Sequence, residues 1–461
     1  MSGQSPFRPA NLASAALDRR RFLGLAGLGL SAAALAACSG PSTAPGARSS
    51  AAAQGIDYSG VKPAAEITWW SSNPGSSQAV SQEIIDAFHA SQPDIKVNLV
   101  TAGANYEEIA QKFQAAQAGG QLPDLMVFSD VWWFRYFMQD SIVPLDSLID
   151  AVGIETADYR DSLLADYQYE DAQWAIPWAR STPLFYYNKV HWSAAGLPDR
   201  APETWDEFTE WAPKLQAAGL GTQHAFQQPA LAQYAGWIYQ NPLWGWGGGW
   251  SKKGSFDITC NSKASVAAIQ FMQDSVSKDG WAGVASNDQV NDLTAGAVSS
   301  TIASTGSLVG ILKAAQFDVG AGFLPGGPEE TSPVCPTGGA GVGIPKDIPK
   351  ENQLAAATFI KFLTSPENTI TFSKATGYMP VRKSAKTADI IAAAPQVEVA
   401  LKQLDVTRTQ DFARVFLPGA DQEMAKSMAN ILTSQADVQG ELDALKTTLE
   451  TIYTRDVKPN I

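Results

Sequence analysis

"DLMVFSDVWWFRYFM", residues 124–138, opens as an unbroken apolar run and breaks at Ser129-Asp130 into an aromatic cluster. An apolar run without alternation suits a strand covered on both faces, as in a parallel sheet. The segments before it complete the pattern. "EITWWSS" (66–72) is strand-like, "SSQAVSQEIIDAFHASQ" (76–92) spaces its apolar residues as a helix does, "IKVNLVTA" (95–102) alternates, and "NYEEIAQKFQAAQAGG" (105–120) is again helical. Strand and helix therefore alternate as βαβαβ, which predicts an α/β sheet with its ligand crevice at the carboxyl ends of the strands. Ser71, Ser72, Asn73, Tyr106, Ser129 and Asp130 all fall at such ends.

Two readings of Asp130 stay open at this point. It caps the helix beginning at Trp132, a common task for Asp after a strand, or it faces the crevice as a charge. Trp132 and Trp133 read as core first, since fourteen tryptophans cannot all line a pocket.

Downstream, "AIPWARSTPLFYYNK" (175–189) is an extended and unusually apolar segment. "PETWDEF" (202–208) carries a capping box at Thr204 and Glu207, which assigns those groups to the first amides of a helix. In "ALAQYAGWIYQ" (230–240), Tyr234 and Trp237 stand three apart and share a helical face. "GWGGGW" (245–250) reads as a loop beside the cleft, and no Gly-Lys-Ser/Thr follows Gly338–Gly343 to make that stretch a phosphate loop.

The whole-chain totals narrow the function. A chain of 461 residues exceeds one ordinary core and suits two lobes. A net charge of −13 argues against a nucleic-acid partner, which requires a clustered basic surface. Cys38, Cys260, Cys335, His89, His191 and His224 are not at zinc-ligand spacing, so neither a metal nor any other cofactor is expected. A Gly-x-Ser-x-Gly elbow and a His-Glu-x-x-His motif are both missing, and a glycosidase would need two carboxylates at a defined separation. An enzyme, such as a secreted hydrolase, is therefore the remote alternative.

At the N-terminus, Arg19, Arg20 and Arg21 precede a charge-free run from Phe22 to Ala37 that is short for a bilayer span. This is the pattern of an export signal, and its paired arginines resemble a twin-arginine signal. "LAAC" (35–38) resembles a lipobox, which implies acylation of Cys38 after removal of residues 1–37. Residues 38–64, rich in Ser, Ala, Gly and Pro, read as a flexible linker. In an oxidising compartment Cys260 and Cys335 are permitted, but not required, to pair.

"AIPWARSTPLFYYNKVHWSAAGLP" followed by "PETWDEF" resembles the family-1 extracellular solute-binding proteins of ABC importers. "SSTIASTGSLVGI" (299–311), "CPTGGAGVGIPK" (335–346), "ATGYMPVRKSA" (375–385) and "RTQDFARVFLPG" (408–419) resemble its glycerophosphodiester-binding branch. The resemblance implies a two-lobed, periplasmic-binding-protein-like α/β fold of type II, each lobe a sheet flanked by helices, closing on a ligand about a multi-strand hinge. It places crossings near Pro177–Leu184, Thr301–Ser304 and Gly338–Gly343. It divides the chain into a first lobe of 65–180 and 303–340 and a second of 181–302 and 341–461. It also implies a lipoprotein, monomeric, held at the outer face of the cytoplasmic membrane and serving the transmembrane subunits of an ABC permease.

By the same resemblance, Arg414 holds a phosphodiester, and Ser181, Ser304 and Gly339 supply further pocket contacts. Tyr106 and Tyr378 are its aromatic positions, with Asp130 facing a choline ammonium. Arg414 pairing with Asp411, and Tyr378 as packing, are the plainer readings of those two residues. Tyr234 stands where the glycerophosphocholine-binding member carries leucine, and with Trp237 it suits either a choline cage or a sugar platform. The expected ligand is glycerophosphocholine or sn-glycerol 3-phosphate. A disaccharide or oligosaccharide is the alternative.

Overall fold

The structure is a computed structural model and describes residues 55–71 and 76–461. Arg19, Arg20, Cys38, Ser72 and Asn73 lie outside the described residues. Along the chain the strands are β1 (Glu66–Ser71), β2 (Lys96–Thr101), β3 (Leu125–Ser129), β4 (Gln168–Tyr169), β5 (Ala172–Gln173), β6 (Ile176–Ser181) and β7 (Pro183–Asn188). There follow β8 (Phe226–Gln228), β9 (Ala282–Val284), β10 (Ser300–Ser304), β11 (Val319–Gly322), β12 (Cys335–Pro336), β13 (Gly338–Gly343) and β14 (Thr407–Arg408).

Two five-stranded sheets carry the two lobes, in the orders β2-β1-β3-β13-β6 and β11-β7-β10-β8-β9. In the first, β1, β2 and β3 are parallel and β13 runs antiparallel between β3 and β6. All five residues of β3 are buried, as its unbroken apolar run requires. One face of this sheet packs Trp69 edge-on against Trp178 and Phe359, and the other sets Phe128 against Tyr136. Helix formation around it follows ordinary capping. Asn105 accepts from the Glu108 amide to start Tyr106–Gly119, and Gly120 ends that helix in the left-handed conformation. Thr204 caps its helix through the Glu207 amide, while the Glu207 carboxylate reaches back to the Glu203 amide at 2.7 Å.

The first crossing lies where the sequence places it. Only Thr182 separates β6 of the first sheet from β7 of the second, and it is fully buried, bonded to Thr305 and Gln403. The other two differ from expectation. Thr301–Ser304 lie within β10, a central strand of the second sheet, and β11 also pairs with β7 there, so the chain returns to the first sheet only after Gly322. Gly338–Gly343 is then a strand of the first sheet, with its first residues at the return. The lobe boundaries expected at 303–340 and 341–461 shift accordingly. β10 and β11 go with the second sheet, and β13 goes with the first, together with helix Lys350–Leu363, which packs on β1. Short strands such as Val319–Gly322, half of them glycine, carry no apolar alternation that would reveal their sheet.

β13 depends on its glycines for close approach. Gly339 sits at φ +98°, and a Cβ there would lie 2.1 Å from the Ala179 carbonyl; one on Gly338 would lie 2.5 Å from the Trp237 indole. The hinge strand can thus touch both its neighbour β6 and an aromatic ring of the second lobe. Cys260 and Cys335 are buried and free. Among the described residues no helix is long and apolar enough to cross a membrane.

Candidate functional site

The cleft is built from the ends of strands and helices of both lobes and measures about 620 Å³. The first lobe contributes Tyr106 and Glu107, at the start of the helix after β2, and Ser129, Asp130 and Trp132 from the end of β3 and the turn after it. The hinge contributes Ser181 and Gly339. From helix Leu231–Ile238 come Tyr234 and Trp237, and from the end of β10 and the turn after it come Ser304 and Gly306. Tyr378, Arg414 and Asp421 close the wall. The structure therefore brings together all nine residues that the sequence nominates for ligand binding.

Their charges are arranged in a way the sequence did not disclose. Arg414 is only 6% exposed and bonds two carboxylates, donating from Nε to Asp421 Oδ1 at 2.8 Å and from Nη1 to Asp130 Oδ2 at 3.2 Å. Nη1 also donates to Gln410 Oε1, and Gln410 Nε2 donates to Asp130 Oδ2 at 2.6 Å. Burial works to lower the Arg414 guanidinium, but Asp421 and Asp130 outweigh it and hold the group above its ordinary value. Nη2 has no protein partner among the described residues, which leaves two donors of a planar fork for a ligand.

This geometry decides the open readings. Asp130 caps no helix: the helix after β3 spans Trp133–Met138 and begins without a side-chain cap, while the Asp130 carboxylate turns to Arg414 and Gln410. Asp411 is not the partner of Arg414, since it bonds Arg408 instead. Trp133 is core and fully buried, whereas Trp132 lines the cleft. The Tyr378 ring does both things asked of it, stacking on Phe372 at 5.8 Å and facing the cleft. The loop 245–250 stands behind the cleft and contributes nothing to its lining.

The aromatic side is equally fixed. Trp237 Nε1 donates to the Thr337 carbonyl at 2.8 Å, which ties its ring to the hinge, and Tyr234 stands 6.4 Å from it between ring centres. Burial pushes the Tyr234 hydroxyl up to about 12, with Asp288 and Tyr378 adding to it. The Tyr106 hydroxyl is buried beside the Tyr378 hydroxyl, without a hydrogen bond of ordinary geometry, and is driven well above its ordinary range, first by burial and then by Tyr378, Tyr167 and Asp130. A buried hydroxyl left without such a bond costs about 1–3 kcal/mol, so a ligand that bonds it recovers that cost. Beneath the hinge, Arg180 is wholly buried, bonding Tyr167 at 2.7 Å and Asp166; burial pushes the Asp166 carboxyl up.

Glu107, Asp421, Gln410 and Arg180 are among the polar groups that sequence reasoning missed. Asp421 follows Arg414 across a Pro418-Gly419 break, so no helical spacing signals the pair, and Gln410 carries no charge to attract notice. Among the described residues no cluster of His, Cys, Asp and Glu is placed to hold a metal ion.

A model of the bacterial extracellular solute-binding protein family matches residues 83–399. The sn-glycerol-3-phosphate-binding periplasmic protein UgpB of Escherichia coli K12 is 28% identical over 334 residues, 69% of this chain and 75% of its own. The crystal structure of UgpB from Mycobacterium tuberculosis in complex with glycerophosphocholine is 44% identical, with a TM-score of 0.81, covering 85% of this chain and 99% of that one. Maltose-bound MalE3 of T. maritima, 23% identical with a TM-score of 0.74 over 84% of this chain and 99% of its own, shares the fold.

Replacing Arg414 by Met leaves the buried Asp130 and the partly exposed Asp421 without the cation they share. Denaturant melts of Arg414→Met at neutral pH should show a loss of about 3–5 kcal/mol, and adding Asp130→Asn to it should restore part of that loss. An unchanged midpoint for Arg414→Met would contradict the shared-cation geometry.

Proposed function

Since this chain belongs to the bacterial extracellular solute-binding proteins, whose members bind solutes outside the cytoplasm, we propose that it captures a zwitterionic glycerophosphodiester such as glycerophosphocholine for an ABC importer. The observation that carries this reading is the single guanidinium of Arg414 shared between two cleft carboxylates. With Glu107 at the rim, the charged lining is net negative. An anion alone therefore meets local repulsion, whereas a phosphocholine brings its own positive charge a few bonds from its phosphate. The phosphodiester takes Arg414 Nη2. The trimethylammonium, which has no N–H to donate, rests on the faces of Tyr234, Trp237 and Tyr378 with Asp130 as counter-ion, each ring contributing about 0.5–2 kcal/mol. The Tyr106 hydroxyl, Ser181, Ser304 and the Gly339 backbone serve the remaining oxygens.

Capture involves closure of the lobes about the crossings at Thr182 and between Gly322 and Gly338, with no covalent step. Ligand contacts made by both walls at once favour the closed state by their difference in affinity between the two states. The closed form is then presented to the transmembrane permease subunits. We further assign residues 1–37 to a twin-arginine export signal and Cys38 to a lipid anchor at the outer face of the cytoplasmic membrane, from which the protein works as a monomer on its 38–64 linker.

Titration calorimetry should show glycerophosphocholine binding, sn-glycerol 3-phosphate weaker by about tenfold or more, and no binding of maltose. Asp130→Asn should weaken glycerophosphocholine by about tenfold while leaving or improving sn-glycerol 3-phosphate. Maltose binding without glycerophosphocholine binding would assign the site to an oligosaccharide, for which the Tyr234 and Trp237 rings are also suited.

Export has its own check. Cys38→Ala should move the protein from the membrane fraction to the medium, and Lys in place of both Arg19 and Arg20 should block its export. Retention of Cys38→Ala in carbonate-washed membranes would end the lipoprotein assignment.

A further inference from the structure

The glycine-rich loop 245–250 does not line the ligand cleft, yet its backbone is shaped around one buried side chain. Asp411 is 0% exposed, and its carboxylate accepts from Trp244 Nε1 at 3.1 Å to either oxygen, from the Trp250 amide at 2.7 Å and from Arg408 Nη2 at 3.4 Å. A Cβ on Gly249 would lie 2.9 Å from Asp411 Oδ2 and 2.8 Å from the Ser251 carbonyl, so only glycine lets the loop close over the carboxylate. The backbone of Asp411 is bound as tightly. Its amide donates to Gln240 Oε1 at 2.9 Å, and its carbonyl accepts from the Arg414 amide at 2.9 Å.

These bonds run to both walls of the cleft. Gln410 and Arg414 stand one residue before and three after Asp411. Gln240 Nε2 donates to Gln410 Oε1 at 3.1 Å and to the Trp237 carbonyl at 3.3 Å. Trp250 Nε1 donates to the Gly236 carbonyl at 2.8 Å, inside the helix that presents Tyr234 and Trp237. A single buried hub thus fixes the cationic wall relative to the aromatic wall.

We propose that Asp411 is the positioning residue of this cleft, setting the separation of the Gln410–Arg414 edge from the Tyr234–Trp237 face and, through it, ligand affinity, without touching the ligand. Among its neighbours within the described residues the only charged group is Arg408, which lies over the Trp244 ring at 4.4 Å; Gln240, Trp244, Gly249, Trp250 and Ser251 are uncharged. Burial pushes the Asp411 carboxyl up to about 6, against Arg408 and the bonds from Trp244 and Trp250. The folded value lies above the unfolded one. Stability from Asp411 is therefore fully present below the unfolded value and is lost as pH rises through the folded one. A neutral side chain of the same shape avoids that loss at neutral pH, while it cannot accept all of the converging donors.

Asp411→Asn separates positioning from plain structural support. Glycerophosphocholine affinity at pH 7.5 should fall about tenfold with no drop in melting temperature. Wild-type affinity should weaken by a similar factor between pH 7.5 and pH 5, and the variant should be flat over that range. Hydrogen exchange of the unliganded variant should quicken at residues 410–415. Gly249→Ala, which crowds the same carboxylate from the loop side, should reproduce the affinity loss and the faster exchange, and it serves if Asp411→Asn fails to fold. Wild-type affinity in either folded variant, unaltered exchange at 410–415, or a joint fall of affinity and melting temperature with the wild-type pH slope retained overturns the proposal. The exchange readout needs no ligand. If the wild type does not bind glycerophosphocholine, the ligand reading fails while exchange still decides the role of Asp411.

Discussion

One buried guanidinium shared between two carboxylates is the constraint from which the rest of this cleft follows. Arg414 and Asp421 sit on helices of the second lobe, and Asp130 comes from the end of β3 in the first. At 3.2 Å, the attraction between Arg414 and Asp130 is worth about 5 kcal/mol at an effective dielectric of about 20. Desolvation of the two ions costs several kcal/mol each, so the attraction alone does not make the pair strongly favourable. That is what a reversible trap needs. A pair that was strongly favourable alone would hold the lobes shut without cargo, and one that was strongly unfavourable would make closure too costly.

The same pair limits what can be bound. Arg414 has spent Nε and Nη1 on the protein, so Nη2 alone remains for an incoming anion, and two carboxylates already oppose any net negative charge. The aromatic wall answers the other half of a zwitterion. Trp237 is held there by its bond to the Thr337 carbonyl and by the missing Cβ of Gly338, so the ring packs on the hinge strand itself. Hinge and site are therefore one piece of structure, in which β13 supplies Gly338 for the ring and Gly339 for the cleft.

Much of this was legible from residue order. The βαβαβ alternation around residues 124–138 located the carboxyl ends of the strands, and with them Tyr106 and Asp130. The resemblance carried by residues 335–346, 375–385 and 408–419 brought Gly339, Tyr378 and Arg414 into the same cleft. What the sequence could not convey was pairing. Asp421 and Gln410 acquire meaning only when the chain folds back on itself, and the allotment of β11 and β13 to different sheets depends on hydrogen bonds between strands too glycine-rich to carry an apolar pattern. The loop 245–250, placed beside the cleft by its glycines, shows the same limit. Its glycines suit a ligand-facing loop equally well, and only the bond from the Trp250 amide to Asp411 shows that it faces inward.

A crystal structure of the protein with glycerophosphocholine tests the central claim most directly. The account places a phosphodiester oxygen within hydrogen-bonding distance of Arg414 Nη2, and the trimethylammonium against Tyr234, Trp237 and Tyr378 with Asp130 beside it. A ligand whose phosphate lies away from Arg414, or whose ammonium points to solvent with Asp130 unengaged, would contradict it.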